Sequence, residues 1–442
     1  VPRVLTWDGA TTWTTADFAV RTLASGQKQT PFYRLAPLGI TLLPSALIGN
    51  ITLTASSAYF VAGMVGTRLR WHDKQITITG FISSLVVNAT INENLNTTGT
   101  LVVASVSTNT LTGAFNVGDI VEGFSSGARA YVEDAVFATF GAPPLQRWTL
   151  SVTIFTGPNF IANEAIIGPG GQGGLFTATA AGPFASAAWD EEVMNVYRGW
   201  PASVAVDQSR LIFANFPSVP GGIAWSELGL LTNFNVGALP TDPIFELVPG
   251  KRQVLYVVPG MDASEFIFCD TGLLYIPITP ANPLKPGSIV FSTISEDECG
   301  QVQPRRAGEF IIYATGGLNQ LMAVRIFGAY TRAYKTDSIT ELSAHLFDNI
   351  KAIAIMTASA SFAERYIFIV NGDAAGTVVA GKYSLSKSNE LEGTVGWTPW
   401  TGGASRGQVS WVSVRGSNIL FCSNYFPNAI AGFGMVELLD DS

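Results

Sequence analysis

The sequence predicts an all-β chain: a β-propeller preceded by additional small β-hairpin and barrel-like domains. Three observations predict it. Short apolar runs bounded by turn residues extend along the whole length, long helical periodicity is nearly absent, and beyond Trp189 a two-strand unit returns at intervals of about 45–60 residues. The 442 residues leave room for two or three domains, and 47% apolar composition with 10 Trp and 27 Phe supplies a core that excludes disorder.

Four segments follow in order. Residues 1–40 read as an N-terminal β segment whose start is expected to be truncated or processed, since Val1 opens without Met and no basic-then-apolar leader follows. Residues 41–95 read as a small β domain, with the alternation Ile51-Thr52-Leu53-Thr54 as its clearest strand. Residues 35–67 carry no charge, but Pro37, Gly39, Pro44, Gly49 and Asn50 interrupt the stretch, so no membrane-spanning helix is expected. Residues 96–187 contain a repeat: Phe115-Asn116-Val117-Gly118-Asp119-Ile120-Val121-Glu122-Gly123 returns 45 residues later as Phe160-Ile161-Ala162-Asn163-Glu164-Ala165-Ile166-Ile167-Gly168. Each copy sets an acidic residue at a turn before a short strand ending in Gly, which predicts two similar hairpin units in one β module. Residues 188–442 hold five units of strand, polar turn and second apolar strand, the second strands beginning near Arg210, Glu265, Glu309, Arg365 and Asn418; blades that cover one another's faces have this texture. Short helices are expected only at 188–197 and 337–347.

Charge narrows the function classes. Charged residues are only 13% of the chain and the formal net charge is -8, yet residues 1–118 carry seven basic and four acidic groups. No basic cluster emerges to neutralise phosphates, so tight nucleic-acid binding is not expected, whereas an acidic wall suits a conduit past which DNA slides. The deficit of charge suits large subunit contacts. Cys269, Cys299 and Cys422 are odd in number and widely spaced, which fits neither a disulfide framework nor a zinc site; they read as buried thiols.

Sequence matches to catalytic motifs have bland explanations. Gly168-Pro169-Gly170-Gly171-Gln172-Gly173 matches a phosphate-binding fingerprint, but a strand follows it where a helix is required. Gly123-Phe124-Ser125-Ser126-Gly127 has the letters of a nucleophile elbow, yet its repeat counterpart lacks the Ser, and the match at 403–407 reads as a Gly-rich turn. His72 and His345 are the two histidines, read as surface or structural, and neither has partners for zinc or a catalytic triad. Asp190-Glu191-Glu192 and Glu296-Asp297-Glu298 are the acidic clusters, read as solvated loops, with a calcium loop as the alternative. Thr6-Trp7-Asp8-Gly9-Ala10-Thr11-Thr12-Trp13 resembles the Asp-box turn of sialidase-type propellers, a structural feature there. The sequons at Asn50, Asn88 and Asn96 reflect Thr-rich strands. No catalytic residue, cofactor or metal is expected.

The order of elements resembles the tail nozzle, or tail tubular protein B, family of short-tailed bacteriophages. Pro2-Arg3-Val4-Leu5-Thr6-Trp7 with Trp13-Thr14 and Ala16-Asp17-Phe18 resembles that family's opening segment. Ile51-Thr52-Leu53-Thr54-Ala55-Ser56, Val65-Gly66 and Leu69-Arg70-Trp71 resemble its small β domain, and the Gly118-Asp119 hairpin with Ser126-Gly127-Ala128 its recurring hairpin. Most specific is Arg198-Gly199-Trp200-Pro201 with Arg210-Leu211, Trp225-Ser226 and Asn233-Phe234, which resembles its first propeller blade. The resemblance implies a non-enzymatic virion protein of the phage tail: a ring of six copies below the portal and its adaptor ring, bordering the tail fibres, passing double-stranded DNA through an axial channel and holding it until ejection. On that reading Trp200, Arg210 and Trp225 are blade-core and ring-contact residues, and Glu296, Asp297 and Glu298 line the channel. The alternative is a carbohydrate-active or receptor-binding propeller of the virion, which needs carboxylates converging in a cleft.

Overall fold

The computed structural model describes residues 1–93, 95, 97–104, 114–140, 145–156, 160–161, 164–169, 173–180, 185–250, 252–260, 263–308, 310–327, 333–356, 365–373, 376–383, 395–400, 408–415, 418–423 and 435–439. Among the described residues the elements are strands apart from two 3-10 turns, Ala62–Met64 and Glu341–Leu346, and no helix is long and apolar enough to cross a membrane. The fold is all-β. It divides into one unit of residues 19–199 with Val1, and a second of residues 2–18 with 200–442.

The first unit holds a seven-stranded antiparallel sheet in the order Phe32–Tyr33, Trp189–Glu192, Arg68–Trp71, Lys74–Phe81, Val86–Ile91, Asn50–Ala55, Leu42–Pro44. Alternation decides its faces: Ile51, Leu53 and Ala55 turn inward with Leu69 and Trp71, while Asn50 and Thr54 face out. Each large apolar side chain buried here contributes about 1.5–3 kcal/mol. Strands on both sides of position 40/41 belong to this sheet, and Trp189–Glu192, which follows position 187/188, joins it. The short helix expected over 188–197 is instead the strand Trp189–Glu192, held by ladders to Leu69, Arg70 and Trp71 on one side and to Phe32 and Tyr33 on the other. Of the second expected helix, only the 3-10 turn forms, and Asp337 and Ser338 end the strand Ala333–Ser338.

Between Ile91 and Trp189 the chain forms a closed six-stranded barrel, in the order Ile120–Gly123, Arg129–Phe140, Leu145–Thr156, Thr97–Ala104, Gly173–Ala180, Ala165–Ile167. The 45-residue repeat is its construction principle. Glu122 lies opposite Ile167, and Val103 lies opposite Trp148, so at both places a residue pairs with the one 45 positions away. Such self-pairing marks a local two-fold relating two three-stranded halves. Phe115 and Phe160 are both buried, as are Val121 and Ile166. The acidic turn residues repeat too: Asp119 Oδ2 accepts from the Asn116 amide at 2.8 Å, and Glu164 Oε1 from the Ile161 amide at 2.6 Å.

Glu164 does more than its twin. Its other oxygen accepts from the Ser125 and Ser126 amides, and Ser126 Oγ donates to Oε1. Burial opposes the charge, but the bonds from Ile161, Ser126 and Ser125 outweigh it and hold the carboxyl below its ordinary range. The Gly123–Gly127 loop is thus a nest filled by a carboxylate. Glu164→Ala is expected to destabilise the barrel by about 2–3 kcal/mol, since charge-assisted bonds are lost and amides left unpaired, whereas Asp119→Ala costs less. Because the folded-state pKa is depressed, this contribution is present above the ordinary carboxylate range and lost as pH falls through the folded value. Hydrogen exchange of the strands Ile120–Gly123 and Ala165–Ile167 in both variants measures it.

The second unit opens with the hairpin Arg3–Trp7 and Trp13–Asp17, turned by Asp8, whose Oδ1 accepts from the amides of Ala10, Thr11 and Thr12. Five antiparallel meanders follow in chain order. The first is Ser203–Asp207, Arg210–Ala214, Gly222–Trp225, Ile244–Leu247, and the second Val254–Pro259, Glu265–Cys269, Gly272–Ile276, Ser292–Ser295. The third is Arg305–Ala307, Phe310–Ala314, Leu321–Phe327, Ala333–Ser338, and the fourth Ala352–Met356, Tyr366–Val370, Val378–Lys382, Gly396–Trp400. Among the described residues the fifth has three strands, Val409–Arg415, Asn418–Ser423 and Met435–Leu439.

Successive sheets stack face to face, and alternation along the second strand of each sorts its side chains between two cores. Ile267 and Cys269 pack toward the first sheet, Phe266 and Phe268 toward the third. Ile311 and Tyr313 face back to the second sheet, and Phe310, Ile312 and Ala314 forward to the fourth. Ile367 and Ile369 then face the third, Phe368 and Val370 the fifth. Burial on both faces is why these strands read as continuous apolar runs.

Candidate functional site

Arg210 and Trp225 sit at the heart of the first meander, 1% and 0% exposed. The Arg210 guanidinium donates to three carbonyls, Ser226 at 2.6 Å, Asp242 at 2.8 Å and Pro240 at 2.9 Å, and so staples the loop after Trp225 onto its strand. Burial lowers its pKa, with Glu265, Asp242 and Glu227 opposing. Trp225 Nε1 donates to Glu265 Oε2 at 2.9 Å. Both side chains are enclosed by their own chain, and Trp200 is half-buried.

The acidic run Glu296, Asp297, Glu298 follows the last strand of the second meander. Glu296 extends into solvent, its side chain 82% exposed and 3.6 Å from Arg252. Asp297 and Glu298 join Glu341, Thr315, Gln320 and Ser338 around an open cleft of about 620 Å³. Gly316 lets Glu298 approach: a Cβ there would lie 2.8 Å from the Glu298 Cβ. Among the described residues no three His, Cys, Asp or Glu side chains converge as a metal site. The cleft's three carboxylates repel polyanions.

The other acidic run is buried, contrary to the solvated loop expected. Glu191 and Glu192 are 0% and 1% exposed in the strand Trp189–Glu192. Asp190 takes a bidentate pair from Arg70, at 3.0 and 2.5 Å. Glu191 pairs with Arg198 at 2.7 Å, and Glu192 with Lys28. Desolvation raises the pKa of Asp190 and Glu191 against the pull of Arg70 and Arg198 respectively. The basic excess of residues 1–118 was the sequence signal, because Lys28 and Arg70 are partners of acids over a hundred positions away. Arg34 completes the group, stacked 4.2 Å over the Trp189 ring and donating to the carbonyls of Ala187, Trp189 and Ile40.

His72, read from the sequence as surface or structural, sits in a turn, in the left-handed region at φ 55°, with its side chain only 2% exposed. Its Nε2 lies 2.7 Å from Glu133 Oε1 of the barrel, off the line of an ideal hydrogen bond, with the ring stacked on Tyr131 at 5.4 Å. Glu133 also accepts from Ser186 Oγ at 3.0 Å. Burial opposes its charge, yet the contacts with His72, Ser186 and Thr153 hold its pKa below the ordinary value. The three side chains do not form a nucleophilic triad, because the hydroxyl bonds the carboxylate and leaves the imidazole without a proton to take. His72 and Glu133 border a cleft of about 580 Å³ with Arg34, Leu38, Tyr131 and Asp190.

The remaining motifs fall away on geometry. The amides of Ser125 and Ser126 are occupied by Glu164. Of Gly168 to Gly173, residues 170–172 lie outside the described residues, and the strand Gly173–Ala180 follows. The match at 403–407 and the sequon at Asn96 also lie outside them. His345 is on the 3-10 turn Glu341–Leu346.

Breaking a buried ion pair from one side strands the other charge. Arg198→Ala is therefore expected to destabilise the first unit by about 3–5 kcal/mol, and Arg70→Ala by less, because Asp190 keeps 20% exposure where Glu191 has none. Thermal unfolding of the two variants side by side checks the order.

No family model and no curated protein matches the chain. Solved structures align with it at low similarity. A catalytically inactive virginiamycin B lyase variant from Staphylococcus aureus aligns at TM-score 0.30 and 10% identity, covering 88% of this chain and 94% of that one. A putative 6-phosphogluconolactonase from Bacteroides fragilis aligns at 0.33 and 11%, covering 78% and 98%. An auxiliary nutrient binding protein from Bacteroides ovatus aligns at 0.33 and 8%, covering 88% and 96%. Likeness at this level carries no argument about activity.

Proposed function

We propose that the chain is a structural subunit of a short-tailed phage tail, one copy of a nozzle ring through which double-stranded DNA passes. The observation that carries this reading is the segment Arg198-Gly199-Trp200-Pro201, Arg210-Leu211 and Trp225-Ser226. Its order resembles the nozzle family, and its residues hold structural posts: Arg198 neutralises Glu191, and Arg210 and Trp225 organise the first meander. Low charge density supports large contacts between copies, six by the resemblance, and with the adaptor ring and fibres. The carboxylates of Asp297, Glu298 and Glu341 suit a wall that DNA passes without sticking. The role is non-catalytic, and the location is the virion tail.

That same cleft is the observation favouring the alternative, a carbohydrate-active propeller. Negative-stain electron microscopy of the purified chain separates the two. The nozzle reading expects rings with an axial channel, double-stranded DNA retained weakly even at low salt, and no glycan cleavage. A monomer at every concentration, with polysaccharide turnover abolished by Glu298→Gln, overturns it.

A further inference from the structure

Among the described residues of the second unit, Glu265 is the one fully buried carboxyl group, and no cation hydrogen-bonds to it. It begins the strand Glu265–Cys269, 0% exposed, on the side that Ile267 and Cys269 turn to the first meander. Two groups of that meander meet it. Trp225 Nε1 donates to Oε2 at 2.9 Å, and Asp207, at the end of the strand Ser203–Asp207, brings its own carboxyl within hydrogen-bonding reach. Arg210 is the nearby cation, but its guanidinium is committed to the carbonyls of Ser226, Asp242 and Pro240, with Glu227 and Asp242 sharing its field. From the third meander the nearest polar groups meet neighbours of Glu265 in sequence: Tyr334 Oη lies 3.2 Å from Ser264 Oγ, and Arg306 donates to the Gly260 carbonyl. With both carboxyls ionised, Oε1 faces no donor at all. A proton between them supplies the missing bond.

We propose that Asp207 and Glu265 share one proton and act as a proton-operated clasp between the first and second meanders. The proton sits on Glu265 and is donated to the Asp207 carboxylate, which the Gln208 amide also supports. Burial is the main cause that pushes Glu265 up to about 8; the Trp225 bond opposes it, and the Asp207 charge and bond add to it. Loss of the proton places two like charges together in a low-dielectric joint and favours parting of the sheets. The sign follows: with the folded-state pKa raised, the contribution is full below the ordinary carboxylate range and is lost as pH rises from there to about 8. The clasp is independent of the nozzle reading.

Infrared spectroscopy of the intact chain in heavy water tests it directly. The expected result is a protonated-carboxyl carbonyl band persisting at neutral pH, fading as pH rises through about 8, and absent in Glu265→Gln. Melting temperature gives the second reading: the stability of Glu265→Gln relative to the parent rises between pH 5 and 8, while Asp207→Asn lowers the pH at which the band fades. A parent chain with no such band at neutral pH overturns the proposal, even if the variants fail to fold. A band unchanged in Glu265→Gln overturns it as well.

Discussion

A charge drawn into a sheet must be given a partner, and the first unit depends on that constraint. The strand Trp189–Glu192 carries three consecutive acids into the middle of a sheet, between Phe32–Tyr33 and Arg68–Trp71. Arg70, Arg198 and Lys28 meet them, so the sheet closes only when the chain has returned from the barrel in the correct register. A one-residue slip would turn Asp190 and Glu192 to the side now occupied by Glu191 and strand the pairs. Ion pairs of this kind contribute little net stability compared with apolar packing, but they penalise every wrong register heavily.

The second unit relies on apolar alternation. Each inner strand sends odd and even side chains into different cores, and the stack of meanders is the sum of those contacts. Among the described residues, one group of polar side chains lies where the first meander meets the second: buried Arg210, Trp225 and Glu265, with half-buried Asp207 beside them. Arg210 binds a loop to its own sheet, whereas Trp225 and Asp207 reach across to the next.

Much of this was legible in the sequence where the signal is local. The 45-residue repeat was visible as letters, and the barrel gives it a physical form in the pairs Glu122 with Ile167 and Val103 with Trp148. The apolar second strands marked the meanders because burial on two faces removes polar alternation. What could not be read depended on distant partners. Asp190, Glu191 and Glu192 look like a solvated run until Lys28, Arg70 and Arg198 are brought beside them. His72 looks like a turn residue, which it is, but Glu133 and Tyr131 of the barrel enclose it. Glu265 looks like the polar start of a strand, and only the stacking of two sheets makes it a buried acid.

A place in a particle is measured most directly on particles. Antibody raised against residues 188–442, used for immunogold electron microscopy of intact and DNA-ejected virions from the source lysate, should label the tail alone in both states. Label absent from particles, with the protein recovered only as a free species, would contradict the account.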